Sequence, residues 1–113
     1  MARREEEKPQ EEWRIRPAAP RRLERASQAL KAMAHPSRLS ILELLSRSER
    51  SVGEMEQLLG LSQANLSQHL HLMKDRGLLS SRRAGNQVFY TLRDPRILGL
   101  LALVMDLFEP DKE

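Results

Sequence analysis

The sequence predicts a mainly α-helical domain with one small β-hairpin, and three observations carry that prediction. Four successive apolar patterns with spacings of three and four residues fill the stretch from Leu23 to Met73. The period then drops to two between Leu79 and Leu92, around Ala84-Gly85-Asn86. Residues 97–108 contain only Gly99 and Asp106 as non-apolar members, the composition of a helix covered on almost every side. At 113 residues and 13.0 kDa the chain has room for one core of ordinary size.

Residues 1–20 hold Pro9, Pro17, Pro20 and a block of glutamates, with Trp13 and Ile15 as large apolar groups. Such a segment buries too little to offset its ordering entropy, so it reads as a mobile arm. The domain proper spans residues 21–109, and residues 110–113 are a tail. Leu23, Ala26, Leu30 and Met33 form one face of a first helix that stops near Ala34, because Pro36 disfavours helical geometry at His35. Pro36 suits the first turn of a second helix, entered through His35 or Ser37 and continuing to about Arg47. Ser51 and Glu54 have capping-box spacing before Val52, Met55, Leu58 and Leu59, and Gly60 closes that short third helix. Ser62 is an N-cap for a fourth helix, with Leu66, Leu70 and Met73 inward, which ends at Gly77. The hairpin follows, and Asp94-Pro95 opens the last helix.

Composition excludes several classes of function. With no cysteine there is no disulfide, thiolate metal site or thiol switch, and a reducing cytoplasm is the default compartment. No apolar run reaches the roughly 18 residues of a membrane helix, and the start lacks a signal-peptide core. No glycine-rich phosphate loop or cysteine nucleophile points to an enzyme. The net charge is only +3, but it is unevenly placed. Residues 21–50 carry seven basic and three acidic groups and residues 76–96 carry five and one, while residues 51–75 between them carry one and three. Most of the basic groups are arginine, whose planar fork suits phosphate.

The order of two helices, a short helix, a three-residue turn, a further helix and a hairpin is that of a winged helix-turn-helix. In that arrangement the fourth helix enters the major groove of DNA. At about 100° per residue, Leu66, His69, Leu70 and Met73 share its inner side, and Ala64, Ser67, Gln68 and His71 its outer side. The outer side is polar but almost uncharged, where an ordinary solvated helix carries Glu and Lys. Gln pairs bidentately with adenine, Ser reads several base edges, and Ala contacts a thymine methyl. Arg82 and Arg83 in the hairpin stand where a wing meets the backbone, with Arg76 just before it and Arg38, Arg47 and Arg50 as further candidates on the second-helix side.

Three runs resemble the arsenic-repressor type (ArsR) family of bacterial transcription regulators. They are Ala32-Met33-Ala34-His35-Pro36-Ser37-Arg38-Leu39-Ser40-Ile41-Leu42, Leu61 to Leu70, and Gly85 to Leu92 with Tyr90. The resemblance covers about Leu23 to Phe108 and implies a homodimeric repressor on an inverted repeat of double-stranded DNA, released by an inducer. It places Ser62, Gln63, Ser67, Gln68 and His69 at the DNA, with Arg82 and Arg83 in the wing. With the outer helix face, the DNA-binding set becomes Ser62, Gln63, Ala64, Ser67, Gln68, His69, His71, Arg82 and Arg83.

The family's sensor sites do not carry over. Ser51 stands where one metal site has cysteine, and Arg96, Leu107 and Pro110 stand where another has histidines and a glutamate. Asp94 alone matches, and one carboxylate cannot hold a transition metal. No metal or other cofactor is expected, and His35 is assigned to capping or packing. Glu56, where relatives have a small residue, must turn its stem outward. The last helix can turn only one face to its own core, so a dimer contact is expected through Leu23, Leu30, Leu100, Leu101, Val104, Leu107 and Phe108. A small organic inducer could enter between the first and last helices, and no residue pattern names it. The alternative function is a winged-helix protein-interaction module without sequence-specific DNA binding.

Overall fold

The computed structural model describes residues 19–110. Most of the expected arm, Trp13 included, and residues 111–113 of the tail lie outside the described residues. Helix α1 spans Pro20–Met33 and begins one residue ahead of Arg21, with Pro20 in its first turn. Its last residues, Ala32 and Met33, are buried. Helix α2 spans Pro36–Leu45, with His35 as the extended N-cap. The His35 Nδ1 accepts the Ser37 N–H at 3.0 Å, so this histidine does the work of a capping Asp or Ser. The helix ends two residues before Arg47, where the Ser46 hydroxyl turns back onto the Glu43 carbonyl.

A two-residue strand, β1 (Arg50–Ser51), follows. Ser51 then caps helix α3 (Val52–Leu59): its hydroxyl accepts the Glu54 N–H at 3.1 Å, and the Glu54 carboxylate accepts the Ser51 N–H at 2.8 Å. Gly60 closes α3 in the left-handed conformation, φ 67°. Helix α4 spans Gln63–Asp75 and starts with the Ser62 hydroxyl accepting the Asn65 N–H at 3.1 Å. It ends in a Schellman motif, in which Leu78 N–H reaches the Met73 carbonyl and Gly77, at φ 82°, reaches Lys74.

Strands β2 (Leu79–Ala84) and β3 (Gln87–Leu92) form the hairpin, with Ala84 opposite Gln87 across the Gly85-Asn86 turn. The sheet order is β1-β3-β2, all antiparallel, and Arg50 faces Tyr90. The third strand is the one element absent from the sequence reading. Helix α5 spans Arg96–Leu107, and the Asp94 carboxylate accepts the Arg96 N–H at 2.9 Å ahead of it.

Ile41, Leu42, Met55, Leu66, Leu70, Met73 and Leu79 are the largest fully buried side chains, so the core lies where α2, α3, α4 and the sheet converge. Each such side chain contributes about 1.5–3 kcal/mol of transfer free energy. Leu101, expected at the subunit contact, is instead 4% exposed and belongs to this core. Its place on α5 is the one turned toward α2, which leaves Leu98, Leu100, Leu103, Val104, Met105, Leu107 and Phe108 exposed.

Candidate nucleic-acid interface

Helices α3 and α4 meet across Gly60-Leu61-Ser62, and the burial of Met55, Leu66, Leu70 and Met73 fixes which way α4 faces. Ser62, Gln63, Ala64, Gln68 and His71 are exposed, and Ser67 is half-buried beside them. These six form the outward stripe. His69 is different: it is half-buried at the edge of the inner side, its ring 5.0 Å from that of His35. An Arg38 terminal nitrogen lies 3.3 Å from His69 Nδ1 while Arg38 Nε donates to the Ala32 carbonyl. A guanidinium only donates, so Nδ1 is the acceptor and the imidazole is neutral. Desolvation, then Arg38, then His35, hold its pKa below the ordinary value of 6.5. His69 thereby links α4 to the start of α2 and the end of α1.

A polar cleft of about 380 Å³ runs between α4 and the hairpin. Gln63, Ser67 and His71 form one wall, Asn86 and Gln87 another, and Glu56 closes it from α3. The sequence marks Asn86 only as turn chemistry and Gln87 only as the start of a strand; the fold brings both amides opposite the outward stripe of α4. Lys74 Nζ donates to the Ser81 hydroxyl at 2.7 Å, tying the end of α4 to β2.

The wing arginines part company. Arg83 is exposed on β2 opposite Val88. Arg82 is gripped by Glu49, with Nε and a terminal nitrogen each 2.8 Å from a carboxylate oxygen, and its guanidinium lies 4.7 Å from the Phe89 ring centroid. That grip holds the Glu49 carboxyl below its ordinary pKa and Arg82 above its own. Of the second-helix candidates, Arg38 is committed to Ala32 and His69, Arg47 lies 3.7 Å from Glu43, and Arg50 is half-buried in β1.

Among the described residues no three His, Cys, Asp or Glu side chains converge as a metal site would require, and no helix is long and apolar enough to cross a membrane. Asp94 is paired with the Arg96 guanidinium at 2.8 Å, which lowers its pKa to about 2.

A helix-turn-helix with an outward polar, uncharged second helix beside a three-stranded wing defines a DNA-binding protein of the winged-helix class. A helix-turn-helix domain model matches residues 33–82. The HTH-type transcriptional regulator YgaV of Escherichia coli K12 is 39% identical over 88 residues, 77% of this chain and 89% of that one. Among solved structures, the homodimeric winged helix-turn-helix domain of Mb0332 from Mycobacterium bovis, a possible ArsR-family regulator, superposes with a TM-score of 0.74. It is 28% identical, covering 88% of this chain and 94% of that one. The transcriptional repressor BigR from Xylella fastidiosa superposes with a TM-score of 0.71 at 33% identity, covering 80% and 93%. The chain belongs to the ArsR family of winged helix-turn-helix transcriptional regulators, and it is a DNA-binding regulator rather than an enzyme.

Proposed function

We propose that this regulator acts in the cytoplasm as a homodimeric repressor that reads an inverted-repeat operator in double-stranded DNA. The observation that carries the reading is the outward stripe of α4. Gln63, Ala64, Ser67, Gln68 and His71, with Ser62 at the helix start, offer hydrogen-bonding and methyl contacts without a charge that would override base identity. Arg83 supplies a phosphate contact from the wing. His69 positions the helix from its inner edge.

The homodimer is supported by the exposure of Leu23, Leu30, Leu100, Val104, Leu107 and Phe108, between 37% and 79%. So large an apolar surface on one chain marks an interaction site. Between α1 and α5 lies an apolar hollow of about 290 Å³ lined by Leu30, Met33, Ala34, Leu39, Leu100, Leu101 and Val104, and a small apolar inducer would fit there. The test is fluorescence anisotropy with a duplex from the chain's own promoter and a scrambled duplex at two salt concentrations. Tight, salt-sensitive binding that favours the promoter duplex is expected. Equal, weak binding to both, with binding to random-sequence duplexes equally flat, would leave the protein-interaction alternative.

A further inference from the structure

Beside α4, on the flank away from the wing, lies a concavity of about 310 Å³ lined by Gln28, Lys31, Ala32, Arg38, Leu72 and Arg76. Three of its six lining residues are cations and none is a carboxylate. Arg38 is anchored by its bonds to Ala32 and His69. The side chains of Lys31 and Arg76 have no ion-pair or hydrogen-bond partner among the described residues, and both are exposed. The neighbouring surface of α1 adds the exposed Arg21, Arg22 and Arg25 against the single carboxylate of Glu24.

Its position relative to the reading stripe gives this cluster a purpose. Gln68, Leu72 and Arg76 follow one another at intervals of four residues, so one face of α4 runs from the reading stripe into the concavity. Ser67 and His71 lead the other way, into the cleft under the hairpin. A helix in the major groove has a sugar-phosphate strand on each side. The wing serves only one of them. We propose that the Lys31–Arg38–Arg76 concavity seats a backbone phosphate on the groove wall opposite the wing, with Lys31 and Arg76 as contacting cations and Arg38 as the residue that holds the floor. This inference rests on the duplex-reading function proposed above and adds to it a second phosphate track, built from α1 and the end of α4.

The experiment compares the full chain with the Lys31→Ala/Arg76→Ala double variant on the promoter and scrambled duplexes, following log Kd against log salt concentration. Each phosphate contact contributes about 0.9 to that slope and the dimer has one such seat on each protomer, so the double variant is expected to lose close to two units. Its affinity should fall on the order of 50-fold at about 0.1 M salt, equally on both duplexes. Arg96→Ala, paired with Asp94 ahead of α5 and outside both the stripe and the wing, is the control and should leave the slope unchanged. If the alanine double variant melts early, Lys31→Gln/Arg76→Gln carries the same test. An unchanged slope, with steep wild-type binding, overturns the phosphate seat and leaves the duplex-reading function intact. A loss confined to the promoter duplex also overturns it, because a phosphate contact is blind to sequence. A wild-type chain that binds no duplex with salt dependence removes both.

Discussion

Arg82 and Glu49, 33 residues apart in sequence, form a two-point guanidinium–carboxylate grip at the base of the wing, with both N···O distances 2.8 Å. The geometry is the one a guanidinium uses for phosphate, so Glu49 occupies the fork that Arg82 would otherwise present to an anion. The pair is solvent-exposed, and such pairs are weak enough for a duplex to compete. Glu49→Gln should therefore free Arg82. We expect binding several-fold tighter and a salt slope steeper by about two units, one from each protomer of the dimer, both abolished by Arg82→Ala in the same background. Weaker binding by Glu49→Gln would mean instead that the pair sets the angle of the wing.

His69 predicts an acid-side loss of stability. Its folded pKa lies below the unfolded value of 6.5, so the unfolded chain binds more protons in the window between the two. Stability must then rise with pH through that window and decline as pH falls below about 6.5. The groups facing the ring are Arg38 and His35, and protonating His69 takes away the Arg38 bond and sets its charge against the guanidinium. His69→Gln, whose amide oxygen can still accept from Arg38, should flatten the decline of thermal stability as pH falls below about 6.5. A variant with the same pH dependence as wild type would place the titrating group elsewhere.

Local chemistry made most of the fold legible. Ser51 with Glu54, Gly60, Ser62 and the change of period at Leu79 each act within a few residues, so sequence spacing reports them directly. What escaped depends on long-range contacts. Strand β1 is two residues long, too short for a period, and exists because Arg50 meets Tyr90. The partner of Arg82 was invisible for the same reason. Leu101 was misplaced because a helix apolar all round gives no periodic hint of which side turns inward. At the site, the inner and outer faces of α4 were legible from the 3.6 period, whereas the basic concavity was not, since Lys31 and Arg76 belong to different helices.

Ser51→Ala tests how much the capping box secures the helix-turn-helix. Ser51 is 6% exposed, so water replaces its hydroxyl poorly when the Glu54 N–H loses its acceptor. The expected cost is about 1 kcal/mol, within a range of about 0.5–2. In a domain of this size that lowers Tm by roughly 4–8 °C, readable by calorimetry. A shift under about 1 °C would show that packing of Met55 alone holds α3 in place.

Gln68→Ala addresses the reading face itself. Gln68 is exposed at the centre of the outward stripe, and its amide can donate and accept at one base edge. Selection from random duplexes should show relaxed preference at one base step in each half-site, with the promoter duplex losing on the order of 1–3 kcal/mol. The scrambled duplex should bind as before. An unchanged sequence preference would move the reading face away from Gln68.

Val104→Asp tests the subunit contact. Val104 is 37% exposed and lines the apolar hollow with Leu30 and Leu100, so within one protomer an aspartate there can still reach water. In a dimer closed over this surface, the same carboxylate would be buried without a partner, at a cost of several kcal/mol. The variant should fold, with a far-ultraviolet circular dichroism spectrum like that of wild type, and light scattering should find a mass near 13 kDa instead of about twice that. On DNA it should bind a single half-site as well as a full inverted repeat, because the second reading helix is no longer delivered by the first. A folded variant that keeps the wild-type dimer mass would move the contact off this face of α5, leaving the opposite flank, with Leu98 and Met105, to carry it.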